Sequence, residues 1–319
     1  MSYKLDKKDR RILYQLDLNS RQTNNQIAKK VGLSREVVQY RIKQLEKKQI
    51  IKGYQTLIDI TKLGYLNCRF FIKLQRDSPK QKKALVEYYK EHPKFWWVNT
   101  IDGFKDLGIA CWVKNMYEFF ELKEDLMKKF GIIINELTME VYSKFHIYKR
   151  EYLLNEKTRV HPEITIFSPN KETLDNKDLD ILRLLTPNAR ISSVEISAKT
   201  GISITNVNYR IKKLIEKKVI VDFRLILGLD KIGYYWYKVE MQLENFDAKK
   251  SLLEYFRNHP NIIYGYEAIS KNDLEFEVEV ASTEELRIIM DDIRRLFSKD
   301  IKQMNHFLWY KEHKFLFMP

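Results

Sequence analysis

The side chains whose chemistry is easiest to read lie in Ser34–Lys48, SREVVQYRIKQLEKK. A guanidinium or a side-chain amide can make paired hydrogen bonds to a base edge, and an ammonium can neutralise a phosphate. Arg35, Gln39, Lys43 and Lys47 supply those groups, and Tyr40 adds a phenolic hydroxyl. They fall opposite Val38, Ile42 and Leu45, which recur at the spacing of one helix face. Ser34 precedes the run, where its hydroxyl can cap a helix start. The stretch returns as Ser203–Lys217, SITNVNYRIKKLIEK, and Tyr40-Arg41-Ile42-Lys43 reappears unchanged as Tyr209-Arg210-Ile211-Lys212. There Ser203 is the cap, Val207, Ile211 and Leu214 face inward, and Thr205, Asn208, Tyr209 and Lys212 face outward. For Arg41 and Arg210 two roles stay open: reading DNA, or pairing with an acidic residue of a preceding helix.

A basic amphipathic helix alone is usually a solvated surface. Its upstream context changes the reading. Ile12, Leu13 and Leu16 mark a first helix and Ile27-Ala28 a second. Val31-Gly32-Leu33 is a tight turn before the third. Gln49–Gln55 is expected to form the strands of a wing. Residues 57–154 then alternate strand and helix periods: strand 67–74, helix 79–91, strand 95–101, strand 106–113, helix 117–129 and strand 132–145. This βαββαβ order predicts a ferredoxin-like α+β sandwich. Residues 155–173 read as a polar linker.

The whole pattern then repeats. Leu5, Asp6, Asp9, Ile12, Leu13, Leu16, Asn19 and Arg21 recur 169 positions later as Leu174, Asp175, Asp178, Ile181, Leu182, Leu185, Asn188 and Arg190. Gly64-Tyr65 recurs as Gly233-Tyr234, and His92-Pro93 as His259-Pro260. The expected plan is therefore a helix-turn-helix at 1–56, a sandwich at 57–154, and a second pair at 174–225 and 226–319. The copies differ where strand 106–113 carries Gly108, Ala110 and Trp112 and its counterpart carries Glu275, Glu277 and Glu279. Those glutamates either form a solvated acidic face or meet Arg69 and Lys73 of the first copy across facing sheets.

Net charge is +14 over 319 residues, with 14 Lys/Arg against 5 Asp/Glu in residues 1–53. That concentration suits a polyanion partner. No run of about 18 apolar residues predicts a membrane span. The charged start, MSYKLDKKDRR, has no secretory h-region. Two cysteines in apolar runs, Cys68 and Cys111, fit a reducing, cytoplasmic setting. No zinc-ligand spacing, phosphate loop or nucleophile elbow stands out, so no catalytic residue, metal or cofactor is expected. The lysine-rich, glycine-poor composition points to a prokaryotic source.

With these motifs the sequence resembles the Lrp/AsnC, or feast/famine, regulators. The matching stretches are LDxxDxxIL at 5–13, IAKKVGLS at 27–34, VxYRIKxL at 38–45 and LGY at 63–65. The resemblance implies a winged helix-turn-helix that binds double-stranded DNA, followed by a RAM-type regulatory domain that dimerises and often senses an amino acid. Members usually carry one copy, so the tandem form implies an intrachain pseudo-dimer, with further homo-oligomerisation open. It also implies an effector loop with a Gly-x-x-Asp signature. Gly103–Asp106 fits, and the second copy keeps Asp273 but has Ser270 where the glycine falls. The expected function is a sequence-specific regulator reading two unlike half-sites. Two other readings stay open: a siroheme decarboxylase-like enzyme, and an architectural binder of low specificity.

Overall fold

Capping residues and apolar periodicity set the helices that open each half. The computed structural model of the chain describes residues 3–75, 79–154, 164–166, 168, 170–316 and 318. Helix α1, Lys7–Leu18, starts where the Asp6 carboxylate accepts the Asp9 N–H, and it buries Ile12, Leu13 and Leu16. Helix α2, Asn24–Val31, opens on a Thr23–Gln26 capping box and stops at Gly32, whose φ of 65° is left-handed backbone. Helix α3, Arg35–Lys47, opens on Ser34. Then come β1 (Ile51–Ile58), β2 (Leu66–Leu74), α4 (Pro79–Glu91), β3 (Phe95–Asp102), β4 (Leu107–Val113), α5 (Met116–Phe130) and β5 (Ile134–Ile147). This is the expected βαββαβ order. Much of the expected linker lies outside the described residues, but Ile164–Ile166 is a short strand, β6, paired with the end of β5.

The second copy repeats the plan as α6 (Asn176–Leu185), α7 (Ser193–Thr200), α8 (Ile204–Glu216), β7 (Ile220–Leu227), the short α9 (Leu229–Ile232), β8 (Tyr235–Leu243), α10 (Lys249–Asn258), β9 (Ile262–Ile269), β10 (Leu274–Val280), α11 (Thr283–Leu296) and β11 (Ile301–Phe315). The expected wing is built differently. Gln49–Gln55 forms no hairpin of its own: β1 pairs antiparallel with β7 of the other copy, Tyr54 opposite Leu225. One two-stranded ribbon thus joins both halves.

Each four-stranded sheet has the ferredoxin-like order, β5-β2-β4-β3 and β11-β8-β10-β9. Its edges do not stay open. Strand β3 pairs with β11 and β5 pairs with β9, so the eight strands close into a ring. Helices cover the outside. Phe70, Leu85, Phe119 and Leu126 form the first outer core, and Val239, Phe256, Phe276 and Ile293 the second. Cys68 and Cys111 lie opposite each other in the first, both buried as free thiols.

The ring's interior carries charge. Glu275, Glu277 and Glu279 are all buried, so they form no solvated face. Arg69 Nη1 lies 3.9 Å from Glu277, Lys105 Nζ 2.5 Å from Glu240, and Arg150 Nε 2.8 Å from Glu279. Lys238 Nζ is 2.5 Å from Glu275. The expected contact between the sheets therefore holds for Arg69. It does not hold for Lys73, which is part-exposed and pairs with Asp106 in its own copy. Aromatic rings pack among these charges, with Lys105 Nζ 4.0 Å from the Phe71 ring centroid and Arg69 Cζ 5.1 Å from that of Trp97. A Cβ on Gly108, where the second copy has Glu275, would stand 2.9 Å from the Trp309 ring.

One buried carboxylate, Glu140, has no cation of its own among these pairs. Burial and the neighbouring Glu275 push its pKa up to about 8. Hydrogen-bond geometry requires the same proton. The Tyr142 hydroxyl lies 2.6 Å from Glu140 and 2.8 Å from Glu275, and it accepts from Lys238 Nζ at 3.1 Å. A hydroxyl donates once, so Tyr142 donates to ionised Glu275 while the carboxylic acid of Glu140 donates to Tyr142. A carboxyl whose folded pKa is raised binds more protons folded than unfolded, so its contribution to stability falls as pH rises toward about 8. Glu140→Gln mimics the protonated acid. Its melting temperature should exceed that of the native chain at pH 8, and the gap should shrink toward pH 5. A gap independent of pH would contradict the assignment.

Candidate nucleic-acid interface

The two candidate reading helices present the faces their spacing predicts. Val38, Ile42 and Leu45 of α3 and Val207, Ile211 and Leu214 of α8 are buried. Arg35, Gln39, Tyr40, Lys43 and Lys47 are exposed, as are Thr205, Asn208, Tyr209 and Lys212. Tyr40 and Tyr209 are 64% and 58% exposed. Among the described residues, Arg35, Gln39, Lys43 and Lys47 make no side-chain hydrogen bond or ion pair. The second face is more constrained: the Ser193 hydroxyl donates to Asn208 Oδ1 at 2.5 Å. Ser34 and Ser203 accept the N–H groups of Val37 and Asn206 at 3.3 and 3.4 Å, so both are helix caps.

The repeated arginines have a structural task. Arg41 Nη1 donates to Asp6 at 2.7 Å and Asp9 at 2.8 Å; Arg210 Nη1 donates to Asp175 and Asp178, both at 2.8 Å. The same residues repeat in both copies, so each arginine bolts its reading helix to the first helix of its own unit. The hydrogen bonds that Arg41 donates to both aspartates raise its pKa, burial acting against them.

A second pair of arginines locks the units together. Arg21 Nη1 donates to the carbonyls of Ala189 at 2.6 Å and Ile191 at 3.1 Å. Arg190 Nη1 donates to those of Ser20 at 2.8 Å and Gln22 at 3.2 Å. These are the same contacts in exchanged copies, as a pseudo-twofold axis requires. The backbone repeats the exchange: Ser20 N–H donates to Phe223 O at 2.9 Å and Ala189 N–H to Tyr54 O at 2.8 Å. Sequence comparison marks Arg21 and Arg190 as recurring, but only the fold shows that they reach across to the other copy.

The connection to the barrel is not symmetric. Asp17 of α1, fully buried, accepts from Arg150 Nη1 at 2.6 Å and lies 3.3 Å from Arg224 Nη2. Burial opposes its charge, but Arg224, Arg150 and Lys149 hold its pKa well below the usual carboxylate range. Thr186 stands at the equivalent place and spends its hydroxyl on Leu182 O. Among the described residues α1 thus carries a buried ion pair that α6 lacks, while the second unit is held through β7, where Asp222 pairs with Lys149 at 2.5 Å.

The expected effector residues fall in a structural setting. Asp106 Oδ2 accepts the Leu74 N–H at 2.9 Å, and Asp273 Oδ2 accepts the Leu243 N–H at 2.8 Å. Both aspartates therefore tie the third strand of each sandwich to the end of the first. A Cβ on Gly103 would meet that of Phe307 at 2.9 Å. Among the described residues, Glu140, Glu240 and Glu275 form the one acidic group near enough to hold a metal ion. Lys105, Lys238 and the Glu140 proton already balance it.

Residues 5–52 and 174–221 each match the family model described as winged helix-turn-helix DNA-binding. The chain is 29% identical over 136 residues to an uncharacterised HTH-type transcriptional regulator of Pyrococcus abyssi, covering 42% of this chain and 91% of that one. It is also 29% identical over 116 residues to the leucine-responsive regulatory protein of Rhizobium meliloti, covering 36% and 74%. At the level of fold, the siroheme decarboxylase NirDL superposes over 98% of this chain and 94% of its own, with a TM-score of 0.62 and 13% identity. That likeness extends the two-copy architecture to the whole chain.

The two classes of basic residue should separate by mutation. Arg41→Ala should cost about 1 kcal/mol of folding stability, since its ion pairs are part-exposed. Lys43→Ala should leave the denaturation midpoint unchanged and lower the salt slope of DNA binding by about one. Urea unfolding and binding titrations at several salt concentrations check both.

Proposed function

We propose that this chain, a tandem two-copy member of the Lrp/AsnC family of DNA-binding transcriptional regulators, reads two unlike half-sites in adjacent major grooves as an intrachain pseudo-dimer. The observation that carries the reading is the reciprocal Arg21–Arg190 lock. It holds two exposed recognition faces in one fixed relation, where independent domains would sample many. In this reading Arg35, Gln39, Tyr40 and Lys43 contact one half-site, and Thr205, Asn208, Tyr209 and Lys212 the other. Ser34 and Ser203, engaged as acceptors, keep a hydroxyl hydrogen for a phosphate. Lys47 lies one turn beyond Lys43 and serves the backbone. The first half-site is held more tightly because its face carries an arginine and two lysines without internal partners. The protein acts in the cytoplasm, where DNA is accessible. An architectural role is less favoured, since a guanidinium and amides at helix spacing suit base-edge contact as well as charge neutralisation.

Whole-chain likeness to a siroheme decarboxylase gives a second reading, an enzyme acting on a carboxylated tetrapyrrole. The cleft chemistry argues against it. Among the described residues no histidine lines the cleft between the β1–β7 ribbon and the barrel, and Glu277, Glu279 and Glu312 would face the substrate's carboxylates. Its two arginines, Arg69 and Arg150, already face glutamates.

Selection of genomic fragments by the purified chain at physiological salt tests the proposal. The expected result is a motif of two unlike half-sites about one helical turn apart. Perfect palindromes would overturn the unlike half-sites. Binding without enrichment that vanishes as salt rises would favour the architectural role. No DNA binding, with a saturable absorbance change on adding siroheme, would favour the enzyme.

A further inference from the structure

Between the β1–β7 ribbon and the barrel lies a cleft with a cavity volume of about 110 Å³. Gln55, Leu225 and Leu227 of the ribbon form one side. Trp96, Trp97, Trp236 and Phe315 supply aromatic walls. The charges around it nearly cancel. Arg150 is matched by Glu279, and Arg69 lies near Glu277. The carboxylate left over is Glu312. Its Oε2 accepts the Trp97 Nε1–H at 3.1 Å, and among the described residues no lysine or arginine pairs with it.

Glu312 is solvent-exposed, and its side chain lines the cleft. Protein packed around its carboxyl raises its pKa to about 7, against the pull of the Trp97 N–H and of Lys52. Asn99, its partner across the β3–β11 ladder, is buried with neither side-chain amide atom hydrogen-bonded to the protein. Lys52 acts on Glu312 only from beyond ion-pair range and is itself paired with Asp230. An aromatic enclosure with a carboxylate in no ion pair attracts a cation twice, through the ring faces and through the charge.

We propose that this cleft binds a small organic cation, its ammonium or guanidinium held by Glu312 and its apolar part lodged among Trp96, Trp97, Trp236 and Phe315. The cleft touches both strands of the ribbon that carries the reading units. Its Arg150 reaches Asp17 of α1 directly. An occupant is therefore placed to alter how the first unit sits on DNA. That consequence, though not the binding itself, rests on the regulator reading.

The test is a tryptophan-fluorescence titration of the full chain with phenethylammonium and 1,5-diaminopentane, using 2-phenylethanol as the neutral isostere. Three indole rings line the cleft, so occupancy should change the emission. The expected result is saturable binding of at least one ammonium, no saturation with the alcohol, and an affinity lowered about tenfold in Glu312→Gln. That variant keeps an acceptor for Trp97 and should fold. The site is overturned if neither ammonium saturates, if the alcohol binds equally well, or if Glu312→Gln leaves the affinity unchanged. The titration contains no DNA, so its failure strikes this site alone. Failure of the genomic selection strikes the regulator reading.

Discussion

An open edge of a β-sheet is a row of unpaired backbone donors and acceptors, and a ferredoxin-like sheet has two of them. Most of this architecture follows from how those edges are satisfied. Strand β3 takes β11 and strand β5 takes β9, so two sheets of four become a ring of eight with no edge left in it. Closure forces the inner faces together. It fixes the pseudo-twofold axis, which in turn brings the β1–β7 ribbon and the two helix-turn-helix units into register.

What fills the ring then decides which sheets pair. The first copy contributes Arg69, Lys105 and Arg150, and the second contributes Glu277, Glu240 and Glu279 opposite them. Removing one partner from such a buried pair typically costs about 3–5 kcal/mol, because the survivor is left charged and dry. Two first copies from different chains would set Arg69 against a second Ala110, where the heterotypic pair has Glu277. The charge pattern thus disfavours exchange between chains more than it adds stability to the fold. Its cost appears in Glu140, which stays neutral only by holding a proton.

Much of this was legible in the sequence. Apolar spacing located α3 and α8 with the correct inward residues, because a helix on a small core has one face to bury. The 169-residue repeat exposed the two-copy plan, and the strand and helix spans of the sandwich fell close to their expected bounds. The errors have a common cause. Gln49–Gln55 reads as a local wing, whereas its hydrogen-bond partner lies in β7, far along the chain. Lys73 alternates with Arg69 on one face, but it is part-exposed and pairs with Asp106 of its own copy. The Arg21–Arg190 exchange and the cleft around Glu312 are also long-range. Pairing across the pseudo-twofold leaves no periodic trace in either partner's neighbourhood.

The reciprocal Arg21 and Arg190 contacts hold the two reading units as one rigid body. Binding of the chain to its selected operator, re-spaced by about 5 and about 10 base pairs between half-sites, tests it most directly. Rigid units predict that both insertions abolish high-affinity binding, the second despite restoring the helical face. Full recovery with the longer insertion would show that the units move independently and would contradict the account.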